Sequence, residues 1–166
     1  MRNNRKRIGL AVVFLSLIVC TVFSVKTFSH CQIPCGIYDD DMRIAMLKED
    51  ILTLEKSMKS IEELSKDPAK NANQLIRWVQ NKDAHAEKID EIVTQYFMTQ
   101  RIKPAEESDA KAYAEYTKKL VLLHNILIAS LKSKQTTDLA NVEKLNSLVD
   151  QFAAAYFGPD HKPHSH

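Results

Sequence analysis

The sequence predicts an all-α protein, an antiparallel up-and-down four-helix bundle with an irregular hook at its N-terminal side. Glycine and proline are scarce, three and five in 166 residues, so little of the chain is punctuated as turn. Beyond position 40 the apolar residues repeat at intervals of three and four, the period of a helix face rather than a strand. The breaks between these stretches are short, which makes successive helices antiparallel neighbours crossing at roughly 20°.

The first helix is expected from about Asp41 to Leu64, with Ile44, Leu47, Ile51, Leu54, Met58 and Ile61 in strict 3-4 alternation; Asp67-Pro68 ends it. The second runs from about Pro68 to Gln100 and presents Leu75, Val79, Ala86, Ile89, Val93 and Tyr96, with Lys82 interrupting the stripe. Lys103-Pro104 marks the next break. The third, about Pro104 to Ser133, shows Tyr113, Tyr116, Leu120, Leu123 and Leu127; the fourth, about Thr137 to Phe157, shows Val142, Leu145, Val149, Phe152 and Tyr156. Gly158-Pro159 stops the last helix. The organisation is therefore a leader over 1–29, a folded domain over 30–157 and a tail over 158–166. The apolar stripes specify a scaffold and say nothing of function.

The leader has its own composition. Arg2, Arg5, Lys6 and Arg7 precede an almost wholly apolar run from Ile8 to Val25, and no acidic residue appears before Asp39. That is the layout of a secretory signal, with Thr27 and Ser29 as small residues before a cut at His30. At 18 residues the run also reaches the length of a membrane span, so an uncleaved, membrane-tethering anchor is the other reading, weakened by Ser16, Thr21 and Ser24. Cleavage takes five of the 23 Lys and Arg and none of the 21 Asp and Glu, leaving a net charge of −3 instead of +2. The basic balance thus belongs to the leader. With acidic and basic residues interleaved in the remainder and no basic stripe carrying aromatics, nucleic acid is excluded as a partner.

Cys20 lies in the leader, and the two other cysteines, Cys31 and Cys35, sit within six residues of the new terminus. Four positions apart, they meet only in a tight turn, for which Pro34 and Gly36 are suited: proline fixes φ and takes a cis bond more readily than other residues, and glycine adopts positive φ. Such a loop holds a disulfide or a metal equally well. His30 tips the balance. Cleavage before it gives a free α-amine, an imidazole, an amide and two thiols within six residues, and an N2S2 set of amine, amide and thiolates is planar, a geometry that selects Ni(II) or Cu(II) over tetrahedral zinc.

His30-Cys31-Gln32-Ile33-Pro34-Cys35-Gly36-Ile37-Tyr38, ahead of a helical bundle, closely resembles the hook of the nickel superoxide dismutases; Ile76-Arg77 and Tyr96-Phe97 also look similar. The resemblance implies dismutation of superoxide to dioxygen and hydrogen peroxide by Ni(II)/Ni(III) cycling, one nickel ion per subunit, a homohexamer, and a protease that removes the leader. It implies that His30 gives its amine and, on oxidation, its imidazole, that Cys31 gives thiolate and amide nitrogen, and that Cys35 gives the second thiolate. Pro34 matches the family's cis proline. Tyr38 matches the phenol over the open axial face, where it orients small molecules and helps deliver protons; together with His30 it is the catalytic candidate. Arg101 or Lys103 are expected to attract the anionic substrate.

The sequence departs from the family pattern in three places. Gln32 replaces an acidic residue. Arg43-Ile44-Ala45-Met46 stands where a glutamate supports the axial imidazole, and the arginine behind it is missing from its place. Glu49 and His85 are the candidates to support the imidazole instead. His124 is expected to pack or to lie at an interface. His161, His164 and His166 lie in a Pro-broken tail that reads as solvated chain, with nickel delivery the alternative. Two other functions compete: an exported helical binding module with a Cys31-Cys35 disulfide, and a nickel or copper carrier. The long apolar leader favours export to a periplasm or the exterior; a cytoplasmic location is the alternative.

Overall fold

Each of the four α-helices that the computed structural model describes is capped by an aspartate. The structure describes residues 36–158, all within one compact unit spanning 34–166. The leader, the hook residues His30, Cys31, Pro34 and Cys35, and the tail beyond Gly158 lie outside the described residues. The helices are α1 (Asp40–Leu64), α2 (Pro68–Glu91), a π-helix (Ile92–Arg101) that continues α2, α3 (Ala110–Gln135) and α4 (Leu139–Phe157). Asp39, Asp67, Asp109 and Asp138 accept hydrogen bonds from the first-turn amides of Met42, Lys70, Ala112 and Ala140, satisfying donors that a helix start leaves open. Pro68 occupies the first turn of α2, where its missing N–H costs nothing. Gly158, at φ +89°, closes α4.

The helices form a ring in which α1 packs on α2 and α4, and α3 packs on the same two. Their pairings run antiparallel. Between α1 and α2 with its π-helical continuation, Asp40 meets Arg101, Asp50 meets His85 and Ser57 meets Asn81; between α1 and α4, Asp40 meets Tyr156 and Lys48 meets Asp150. This is the up-and-down bundle expected from the sequence, with no strand among the described residues. Each helix returns beside its predecessor because the connections are short.

All six seam residues of α1 are buried, as are Val142, Leu145, Val149 and Phe152 of α4. Three expectations need correction. The third helix starts at Ala110, not Pro104, because Asp109 supplies the cap and 102–109 runs as a connection. Its buried face is Leu122, Leu123, Ile126, Ala129, Ser130 and Ser133; Tyr113 is exposed, and Tyr116, Leu120 and Leu127 are only half-buried. Val79 of α2 is exposed. No helix among the described residues is long and apolar enough to cross a membrane.

Candidate metal centre and its surroundings

Immediately after Cys35 the chain turns through Gly36, whose φ of +77° lies in the region that favours glycine. Ile37 projects to solvent, Tyr38 is 40% exposed, and Asp39 caps α1. The Tyr38 ring has a cation on it and an aromatic ring beside it. The Arg101 guanidinium lies 4.3 Å from its centroid, and Tyr96 meets it edge-on at 5.9 Å. Both contacts come from the π-helix, and both residues are held by Asp40 at the start of α1.

Asp40 accepts four hydrogen bonds, two per oxygen. Tyr96 Oη and Arg101 Nε donate to Oδ1 at 2.6 and 2.8 Å; Arg101 Nη2 and Tyr156 Oη donate to Oδ2 at 2.7 and 2.9 Å. Burial alone pushes a carboxylate pKa up, but the guanidinium and the two phenols outweigh it and hold Asp40 below its ordinary range. Burial and the bond to Asp40 drive the phenols the other way, Tyr156 to about 12 and Tyr96 further up. At neutral pH the carboxylate is charged and the phenols are fixed donors.

Further cations flank this cluster. Arg43 lies 4.9 Å from the Tyr96 ring centroid. Arg101, Lys103 and Lys119 line an open cavity of about 370 Å³ with Tyr116, Tyr156 and Glu115, and Lys103 Nζ donates to the Gln100 carbonyl at 3.0 Å. Of the cations expected to draw an anion, Arg101 thus stands directly against Tyr38.

The other candidates are placed apart from Tyr38. His85 Nδ1 pairs with Asp50 Oδ1 at 2.6 Å, and Asp50 is buried. Glu49 is exposed and gives its backbone carbonyl to Thr53 Oγ1; the carboxylate that meets His85 is that of its neighbour. His124 is exposed on α3. Among the described residues no three His, Cys, Asp or Glu side chains stand close enough to hold a metal ion. The donor set with chemistry suited to nickel is that of the hook, two thiols and a histidine preceding a glycine turn. The sequence reading did not place Asp40 at the site and took Tyr156 only as part of an apolar stripe; the trace of this cluster was the similarity at Tyr96-Phe97.

The family model of the nickel-containing superoxide dismutases matches residues 25–160, taking in the hook and all four helices. The chain belongs to that family. A nickel superoxide dismutase is an oxidoreductase acting on superoxide, with nickel as its cofactor. No curated protein and no solved structure was found to match the chain.

Proposed function

We propose that this superoxide dismutase works at a hook processed to begin at His30, with one nickel ion per subunit held by His30, Cys31 and Cys35. Tyr38 is the observation that carries the reading: three residues after Cys35, it is half-exposed yet pinned between Arg101 and Tyr96. His30 gives its α-amine and imidazole, Cys31 its thiolate and amide nitrogen, and Cys35 its thiolate. Nickel so held would supply a one-electron Ni(II)/Ni(III) couple, the chemistry that dismutation of superoxide to dioxygen and hydrogen peroxide requires.

The chain's own residues do the rest. Pro34 and Gly36 shape the turn that brings the two sulfurs together. Two superoxide anions consume two protons per cycle, and the Tyr38 hydroxyl, open to water on one side, orients the bound anion and passes a proton toward it. Lys103, with Arg101 whose charge is paired to Asp40, would supply what local positive field draws the anion, where the processed chain as a whole carries −3.

Self-association is supported by the outward face of α3, where Val121, Ile128 and Leu131 are exposed at spacings of seven and three, and the homohexamer is the form that the family resemblance implies. The apolar leader supports export followed by cleavage. Intact-mass measurement with metal analysis of native protein tests the reading: a chain starting at His30 with stoichiometric nickel is expected. A chain starting elsewhere, or a Cys31-Cys35 disulfide without nickel, sinks it.

A further inference from the structure

Tyr96 and Arg101 are five residues apart, a separation that turns side chains about 140° from each other on an α-helix at about 100° per residue. Both nevertheless donate to the same oxygen of Asp40. The winding explains this. From Ile92 to Arg101 the chain is π-helical, and its wider i→i+5 turn brings residue i+5 to the same face as residue i. The same repeat recurs in the Ile102 amide bonded to the Phe97 carbonyl at 2.9 Å, and in the side chains of Thr99 and Gln100 bonded to the carbonyls of Thr94 and Gln95 at 2.7 Å. Phe97, between the two donors in sequence, points inward and is fully buried against Phe152 and Tyr156.

The wide turn therefore has a consequence at the hook. Arg101 is fixed by a two-pronged bond to Asp40, and in that pose its guanidinium covers Tyr38. Tyr38 itself stands ahead of the α1 cap, in a segment with no helix of its own. Beside the guanidinium, the Tyr96 edge is the ring's other aromatic or cationic contact among the described residues.

We propose that Asp40 and Arg101 are positioning residues for Tyr38, brought to that role by the π-helical register of Ile92–Arg101. The proposal rests on the reading of Tyr38 as the residue over the metal's open face. Arg101 acts through the ring it covers, and Asp40 acts through Arg101. A lysine at position 101 keeps the positive charge but lacks the planar fork that Asp40 grips.

The test uses nickel-loaded, processed protein carrying 3-fluorotyrosine, with the Tyr38 resonance assigned from Tyr38→Phe. Arg101→Gln and Arg101→Lys are each expected to shift or broaden that resonance. They are also expected to lower kcat about 10- to 100-fold, the scale of a misplacement near the chemistry, at unchanged nickel content. In the Tyr38→Phe background Arg101→Gln is expected to add less than about twofold, because residues acting as one unit are non-additive. An unmoved Tyr38 resonance overturns the proposal, as does an equal loss with and without the Tyr38 hydroxyl. Full rescue by Arg101→Lys also overturns it, since charge alone would then suffice. Should Tyr38→Phe alone run at the wild-type rate, the catalytic reading of Tyr38 fails, while the fluorine spectrum still decides whether Arg101 fixes the ring. Asp40→Asn, which keeps the shape and weakens the fork, carries the same comparison if Arg101→Gln does not fold.

Discussion

The hydroxyl of Tyr156 donates to Asp40 Oδ2 at 2.9 Å, tying the last turn of α4 to the first turn of α1. The two ends of the folded chain close on one carboxylate beside the hook. Tyr156→Phe deletes one charge-assisted bond but leaves Asp40 three others, so about 1–2 kcal/mol of stability is expected to go, with helical content unchanged. Urea denaturation followed by circular dichroism measures it, and a variant as stable as the parent would show the bond contributes nothing.

The same cluster sets an alkaline limit. Burial and the bond to Asp40 raise the folded pKa of Tyr156 to about 12 and that of Tyr96 further, against roughly 10 in the unfolded chain. Above pH about 10 the unfolded state loses these protons first. Their contribution is therefore complete below pH 10 and declines as pH rises toward 12. Asp40 has the opposite sign: its pKa is lowered on folding, so its contribution is present above the ordinary carboxylate range and is lost as pH falls through its depressed value. Denaturation midpoints between pH 9 and 12 are expected to fall, and Asp40→Asn should flatten the slope; equal slopes would refute the coupling.

What the sequence revealed depends on how one-sided each helix is. In α1 and α4 most apolar residues fall on one side, Leu52 being an exposed exception, so periodicity alone marks most of the core. In α3 the run from Leu120 to Leu131 is apolar almost all round, so the period does not choose a face. The face turned inward holds Ala129, Ser130 and Ser133, small residues with room for the carbonyl and lysine of α2: Ser130 Oγ donates to the Ala86 carbonyl at 3.1 Å. The π-helix left no mark, since Ile92–Arg101 contains neither glycine nor proline, and with it the convergence on Asp40 was invisible. The hook was the reverse case, legible because its chemistry is local in sequence.

Lys82, which broke the second apolar stripe, turns out to be 3% exposed. Its ammonium donates to the carbonyls of Ser133 and Lys134 at the end of α3 and pairs with Asp83 at 3.2 Å, closing orphan acceptors with charge of the favoured sign. Lys82→Met keeps the length and strands these groups. A loss of about 2–4 kcal/mol is expected. Dismutation at saturating nickel should persist, since Lys82 lies about 20 Å along the helix from Tyr96. Thermal melting and activity on one preparation check both halves.

His85 and Glu49 separate in the same way. Asp50 is 6% exposed and pairs with His85, so His85→Ala leaves a buried carboxylate without that hydrogen bond and should cost about 1–3 kcal/mol. Glu49→Ala, on an exposed side chain, should stay within about 0.5 kcal/mol. If Glu49→Ala instead altered the nickel electronic spectrum, Glu49 would have to support the metal's imidazole in the processed protein.

Cys35→Ser separates the hook from the scaffold. Serine replaces a soft thiolate by a hard, largely protonated oxygen, which suits nickel poorly. The bundle core is built from Leu47, Leu54, Phe97, Leu123, Leu145 and Phe152, none of them in the hook. Dismutation and stoichiometric nickel should therefore be lost together, while helical content and the melting midpoint of the metal-free protein match those of metal-free parent. The comparison must be between metal-free forms, because bound nickel stabilises whatever it binds by mass action. Metal analysis, superoxide decay and circular dichroism on paired samples give the answer: a serine variant that retained a full complement of nickel would exclude the Cys35 thiolate as a ligand, and one that lost its helices would place Cys35 in the fold itself.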